Sequence, residues 1–265
     1  MNYQHLRVDE DDGIATVTMC RAHRRNSLSE EHLRELLAAF ESIADGSVRG
    51  VILAAEGPVF SSGHDFNDMA GRDLDGMRSL LEICGELMQL IQRMPQPVIA
   101  QVDGLATAAG CQLVASCDLA VAGETTRFQA PGGFGGWFCH TPGVAIVRAV
   151  GRKRALEMLL TGDPIDAHTA AEWGLVNRVV PDASVAAETR ALLDRATRGS
   201  THSKARGKRA FYAQAELDTA GAYAYATEVM AETSQTADGQ ETMRAFVEKR
   251  PPKFVGRDTK RQKIA

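Results

Sequence analysis

Residues 97–118 read PVIAQVDGLATAAGCQLVASCD, and the order of residue types in this stretch sets the fold class. Val98–Val102 is a short apolar, partly β-branched run after a proline, which predicts a buried strand. Residues 104–110 (GLATAAG) are a tract of side chains too small to screen the main chain, and they open a helix. Residues 118–122 then predict a second short strand. Strand, small-residue turn, helix and strand again form the unit of an α/β protein.

The same logic extends in both directions. Upstream, residues 13–20 (GIATVTMC) alternate and predict a strand, followed by a basic, Asn-containing loop at 21–27. Ser29 before Glu30 and Glu31 is a helix N-cap with acidic residues at the positive end of the dipole. Leu33, Leu36, Leu37 and Phe40 supply the apolar stripe of that helix. Residues 48–55 predict a buried strand that runs into a loop at 57–65 holding Gly57, Pro58, Ser61, Ser62 and Gly63. Residues 73–93 form a helical pattern that Pro95 and Pro97 terminate. Residues 131–143 are Gly-rich, aromatic and irregular. Helical patterns alone follow, at 144–150, 153–161, 167–173, 185–196, 204–217 and 220–236. The expected organisation is an α/β core over residues 1–200 and a helical region over 201–265.

A chain of 265 residues with 44% hydrophobic and 24% charged residues has ordinary globular composition. Thirty Lys+Arg against thirty-four Asp+Glu give a net charge of −4, which excludes a general nucleic-acid binder. No apolar run approaches the roughly 20 residues of a membrane span, and residues 1–10 lack the apolar core of a targeting peptide. Cys20, Cys84, Cys111, Cys117 and Cys139 are an odd set without a C-x-x-C pair, so neither disulfides nor metal is expected. From these features a cytoplasmic location is expected.

The two small-residue loops, Ser61 to Phe66 and Ala106 to Cys111, each follow a predicted strand. Main-chain N–H groups exposed on such loops can stabilise negative charge on an oxygen, and two converging on one point make an oxyanion hole. Structurally, the same residues also suit tight turns and close helix–sheet packing. The run Ser62-Gly63-His64-Asp65 does not read as a hydrolase triad, because sequence neighbours on a short loop diverge in space. There is no G-x-S-x-G elbow either.

These residues also resemble a family. Phe60 to Asp65 is similar to the F-x-A-G-x-D segment of the crotonase (enoyl-CoA hydratase/isomerase) family. Residues 97–118 resemble its P-V-I-A-x-V-x-G…G-G-G-C-E-L…C-D block, and residues 152–180 its A-x-E-M-x-L-T-G…G-L-V-x-x-V-V block. Residues 238–240 and 245–250 resemble its C-terminal ending, so the likeness covers nearly the whole chain. It implies a spiral of ββα turns with a C-terminal helical trimerisation region, assembled as a homotrimer or dimer of trimers. It also implies an acyl-CoA thioester substrate in fatty-acid or related metabolism, with coenzyme A as part of the substrate and no separate cofactor. Carried over by position, the main-chain N–H groups of His64 and Ala109 are the oxyanion donors. Arg24 and Arg25 fall at the adenine and phosphate end of coenzyme A, Ser62 and Phe66 at the thioester approach, and Lys249 or Lys260 at a phosphate. The C-terminal charges equally suit a solvated tail.

The sequence departs from the family at both hydratase glutamates: Gln112 stands at the first and Gly132 at the second. Each acid–base group contributes about 10²–10⁴-fold, so ordinary hydration is expected to be slow. His140 is the foremost replacement, with the His64 side chain and Asp68 as others. A small anion in the space left by Gly132 is a further expectation, weakened because Ala130 and Pro131 replace a Gln-Thr pair. The alternative function is a non-catalytic acyl-CoA-binding homologue. The likeness is strongest to the branch of enoyl-CoA hydratase domain-containing proteins, which share the S-S-G-H-D run.

Overall fold

The computed structural model describes residues 3–255. The chain opens with β1 (Leu6–Asp11) and β2 (Ile14–Met19), then α1 (Glu30–Asp45), β3 (Gly50–Ala55), β4 (Val59–Ser61), α2 (Phe66–Met69) and α3 (Leu74–Arg93). It continues with β5 (Val98–Val102), β6 (Leu105–Thr107), α4 (Ala109–Ser116), β7 (Leu119–Gly123), β8 (Arg127–Gln129), α5 (His140–Val150) and α6 (Arg152–Thr161). The remainder is β9 (Ile165–Asp166), α7 (Ala167–Trp173), β10 (Arg178–Val180), α8 (Val185–Ala196), α9 (Thr201–Ala215), α10 (Thr219–Ser234) and α11 (Ala237–Val247).

The strands sort into two sheets. One has the order β1-β2-β3-β5-β7-β10 and the other β4-β6-β8-β9. Three successive turns, β3-β4, β5-β6 and β7-β8, each place the first strand in the large sheet and the second in the small one. The pairings among these six strands are parallel, so the chain advances as a spiral. Parallel pairing demands cover on both faces, which explains the near-continuous apolar runs of β3 and β5. Ile52, Ile99 and Val121 face Val185 and Leu193 of α8, while Val51, Leu53, Val98 and Ala100 join the larger core on the other face. Phe40, Phe60 and Phe128 are fully buried in that core. Truncating any one to alanine removes about 3–5 kcal/mol.

Local signals account for the helix starts. Ser29, Asp73, Asp166, Ser200 and Asp218 each cap a helix by accepting a main-chain N–H bond. Helix α9 is tied to the spiral by Lys208, whose Nζ lies 2.6 Å from Asp118 Oδ2 and donates to the Ile91 and Gln96 carbonyls. Tyr212 donates to the other Asp118 oxygen at 2.9 Å. By contrast, α9 and α10 bury no residue completely within this chain.

Candidate active site

The small strands β4 and β6 deliver the two loops singled out in the sequence to one place. Gly63 has φ +84°, and a Cβ there would lie 2.9 Å from Ala108 Cβ and 3.2 Å from the Ala109 nitrogen. A Cβ on Gly110 would lie 2.4 Å from the Ser61 carbonyl oxygen. The loops therefore touch main chain to main chain, at a separation that larger residues forbid. Ala108, the N-cap of α4, holds φ 51° and ψ −118°, a strained conformation for a residue with a side chain.

Around this contact the neighbouring amides are engaged. Leu28 N–H donates to the Gly63 carbonyl at 2.8 Å, Asp65 N–H to Leu28 at 3.2 Å and Ala108 N–H to Gln129 at 2.9 Å. Ala109 opens α4, where the first N–H groups have no partner within the helix. Among the described residues, neither the His64 nor the Ala109 N–H meets an acceptor.

Beneath the first loop lies a polar network. Arg21 Nη2 sits 3.1 Å from Asp65 Oδ2, which also accepts from Ser27 Oγ at 3.1 Å. Arg21 Nη1 donates to the Ser27 carbonyl at 2.7 Å. Asp65 caps α2 through Asn67 N–H; although burial raises its carboxyl, the bonds from Ser27 and Asn67 with Arg21 hold it below the usual carboxylate range. His32, fully buried, lies with Nδ1 3.1 Å from the Ser27 carbonyl, and desolvation pushes its pKa down to about 4.

The loops form one wall of a cavity of about 440 Å³. Ser62, His64, Phe66, Thr107, Ala108 and Ala109 line that wall, and residues 131–142 supply most of the other. Phe66 and Trp137 meet across the cavity with centroids 6.5 Å apart. No carboxylate, lysine or arginine is among its lining residues. Burial holds the His64 imidazole below its ordinary pKa, so it is neutral at neutral pH. Its Nδ1 lies 3.4 Å from the Leu28 carbonyl, and its Nε2 has no partner, nor has Thr107 Oγ1.

Of the predicted site residues, Ser62, His64, Phe66, Ala109 and His140 are brought together here. His140 begins α5 at the rim, exposed, with its ring 5.1 Å from that of Phe138. Arg24, Arg25 and Lys249 are exposed and do not line the cavity, although Arg25 accepts from Ser62 N–H at 3.0 Å. Lys260 lies outside the described residues. Asp68 is already engaged: it accepts from Glu30 N–H at 2.7 Å and from Arg72 at 2.8 Å. Gln112 is buried on α4 with Oε1 unpartnered, away from the cavity lining.

One expectation needs correction. Gly132 leaves no space for an anion in place of a side chain, because a Cβ there would lie 2.2 Å from the Trp137 carbonyl and 2.7 Å from Cys139 Sγ. The loop has folded into the volume a glutamate would need. Cys139 beside it is buried: it is 6% accessible, accepts from Gly132 N–H at 3.3 Å, and its thiol pKa is raised by burial. Cys111 is likewise a buried packing residue, its thiol pushed up to about 12 by desolvation. Sequence reasoning gave no cavity role to Phe134 and Trp137; a Gly-rich aromatic loop gives no period to detect.

The described residues contain no helix able to cross a membrane and no group of three or more potential metal ligands. Residues 9–257 match the enoyl-CoA hydratase/isomerase family. Enoyl-CoA hydratase domain-containing protein 3, mitochondrial, of Mus musculus is 44% identical over 247 residues, covering 92% of this chain and 82% of that protein. A crystal structure of enoyl-CoA hydratase from Mycobacterium smegmatis superposes with TM-score 0.91 at 44% identity, covering 94% of this chain and 98% of the other. The human enoyl coenzyme A hydratase domain-containing protein 3 structure superposes with TM-score 0.91 at 42% identity, over 95% of this chain and 100% of that one. The mitochondrial names of such relatives overturn the cytoplasmic expectation. The cysteine pattern reports redox conditions and carries no address. With the spiral topology, the paired loops and these likenesses in agreement, the chain belongs to the enoyl-CoA hydratase/isomerase family.

Proposed function

We propose that the cavity binds an acyl-CoA thioester and holds its carbonyl oxygen between the His64 and Ala109 amides as that oxygen becomes enolate-like. The observation that carries this reading is the pair of acceptor-free N–H groups on two touching loops at the cavity wall. One such donor is worth about 2.7–4 kcal/mol in the transition state. A cavity lined by Phe66, Leu81, Phe134, Trp137 and Phe138 suits the apolar acyl part. Water addition of the two-glutamate kind is disfavoured, since Gln112 is off the cavity and Gly132 has no room for a side chain. The enzyme is therefore a lyase or isomerase of acyl-CoA metabolism with atypical proton transfer.

Arg24, Arg25 and Lys249 are assigned to the nucleotide end of coenzyme A, the lysine from a neighbouring copy in a trimer or dimer of trimers. Residues 201–265 would then be the trimerisation region beside a 1–200 core. The exposed apolar side chains Phe211, Tyr223, Met230, Phe246 and Val247 support that division. Turnover of enoyl-, dienoyl- and 3-oxoacyl-CoA esters by purified protein tests the reading, and Ala109→Pro should lower it about 10²–10³-fold. Tight ester binding with no turnover of any ester would instead favour a non-catalytic acyl-CoA-binding protein, and absence of ester binding would end both.

A further inference from the structure

The cavity carries aromatic surface that the chain itself leaves uncovered. Phe66, Phe134 and Trp137 line it, yet they are 70%, 87% and 46% accessible. Among the described residues, four of the eighteen that line it are Phe or Trp, against 6% aromatic residues in the whole chain. Leu81 is the one Val, Leu, Ile or Met among those eighteen. We propose that the acyl group accepted here ends in an aromatic ring, so that the substrate class is an aryl-substituted acyl-CoA thioester and not an alkyl one. This rests on the acyl-CoA reading above and adds to it the nature of the acyl group.

The kind of apolar surface separates the two occupants. Aliphatic side chains pack an alkyl chain without directional preference, and this protein places them in its core, where Val51, Leu53, Val98 and Leu113 are fully buried. The cavity is lined by rings instead. Aromatic pairs gain from offset-stacked or edge-to-face contact with centroids about 4.5–7 Å apart, an attraction that an alkyl chain does not return. Phe66 and Trp137 stand 6.5 Å apart with their planes 54° from parallel. Neither ring covers the other face to face, so a third ring set beside them can meet both at angles that such pairs favour.

The chain path also sets the distance between ring and thioester. Phe66 lies two residues past His64, whose N–H is assigned to the carbonyl oxygen, so their α-carbons are at most about 7 Å apart. A ring against Phe66 is therefore joined to the thioester carbonyl by a short spacer. At about 440 Å³ the cavity falls inside the range of roughly 300–1,000 Å³ for small-molecule sites, with room for a ring and such a spacer.

The test compares three saturated esters of equal carbon number, 3-phenylpropanoyl-CoA, 3-cyclohexylpropanoyl-CoA and nonanoyl-CoA, by titration calorimetry, with coenzyme A alone as the baseline. They share the nucleotide and the thioester and differ at the acyl end. A ring–ring contact is worth about two- to tenfold in affinity, so the phenyl ester is expected to bind about tenfold more tightly than either of the others. Trp137→Leu and Phe66→Leu each remove one partly exposed ring. Each is expected to weaken the phenyl ester about threefold or more and the nonanoyl ester less than about twofold. Cyclohexyl or nonanoyl ester binding as tightly as the phenyl ester overturns the proposal and leaves the acyl-CoA reading intact. An equal loss for all three esters in both variants overturns it too, and makes the rings a general apolar wall. Variants that change the assembly state in size-exclusion chromatography but keep the ratios of affinity assign the rings to a contact between copies, which also overturns it. Failure of all three esters to bind overturns both readings.

Discussion

The two walls of the cavity are built by different means. One, from residues 61–66 and 107–110, is main chain pressed against main chain: Gly63 and Gly110 allow the contact, and Ala109 is fully buried. The other, from residues 131–142, is loop and aromatic side chain, with Phe134 87% and Trp137 46% accessible. Both walls depart from the family's sequence pattern, the first at Ala108 and Ala109, which stand where the pattern has glycine, and the second at Gly132, where it has glutamate. A function carried by N–H groups does not depend on which side chains surround it, provided the loops can approach. A function carried by a carboxylate disappears with one substitution. The comparison therefore separates oxyanion stabilisation, supported here by backbone geometry, from proton transfer, which needs a side chain from elsewhere.

Removing one main-chain donor should have the largest effect. Ala109→Pro deletes a single N–H at the first position of α4, where helices tolerate proline. Turnover should fall about 10²–10³-fold. Denaturant unfolding of the variant decides whether the loss is catalytic: an unchanged midpoint assigns it to the donor, whereas a collapsed midpoint assigns it to the fold.

Acid should weaken the support behind that wall before it affects the aromatic one. His32 is neutral in the folded protein with a pKa of about 4, against 6.5 in the unfolded chain, because burial disfavours its charge. Between these values the unfolded chain takes up a proton that the folded one refuses. Stability is therefore full above pH 6.5 and declines as pH falls towards 4, by about 3 kcal/mol for this group. His32→Gln cannot titrate, so its unfolding free energy should change less over that range. Parallel pH profiles for the two proteins would exclude His32 as the cause.

The aromatic wall predicts the opposite pattern of effects. Phe134 is so exposed that Phe134→Ala should move the unfolding midpoint by less than about 0.5 kcal/mol. Losing an aromatic surface from the cavity should weaken ester binding roughly tenfold, equivalent to about 1.4 kcal/mol. A variant that binds esters normally but unfolds early would mean that this loop supports structure and not substrate.

Much of this division was legible in the sequence, for physical reasons that differ along the chain. Val98–Val102, Ala167–Trp173 and Val185–Ala196 match their elements because apolar period and flanking breakers agree. The partners β4, β6, β8 and β9 were not legible, being two or three residues long and too short to show a period. β1 (LRVDED) is a polar edge strand with one buried residue, so its alternation carries no apolar signal. α5 starts at His140 instead of Val144 because Pro142 lies in the first turn, where proline needs no donor. α11, polar and containing Gly239, was missed as a helix. At the site, the loops were visible as small residues after strands. The blocked space at Gly132 arises from the path of residues 137–139, which no local pattern encodes.

The smallest effect concerns the strain stored at Ala108. Its φ of 51° with ψ −118° is a conformation that glycine adopts freely and alanine resists. The family pattern has glycine at this place, so Ala108→Gly restores the unstrained residue. Relief of strain outweighs the extra backbone entropy of glycine, and the net gain should be roughly 1 kcal/mol in unfolding free energy. Activity supplies the sharper reading. If the strain serves only to fit Ala108 Cβ against Gly63, turnover stays level while stability rises. If the Cβ is what keeps the Ala109 amide aimed at the cavity, the more stable protein is the slower one, because a glycine at 108 frees the first turn of α4 to drift. A variant that loses stability would show instead that the Ala108 methyl contributes more by packing than its backbone costs.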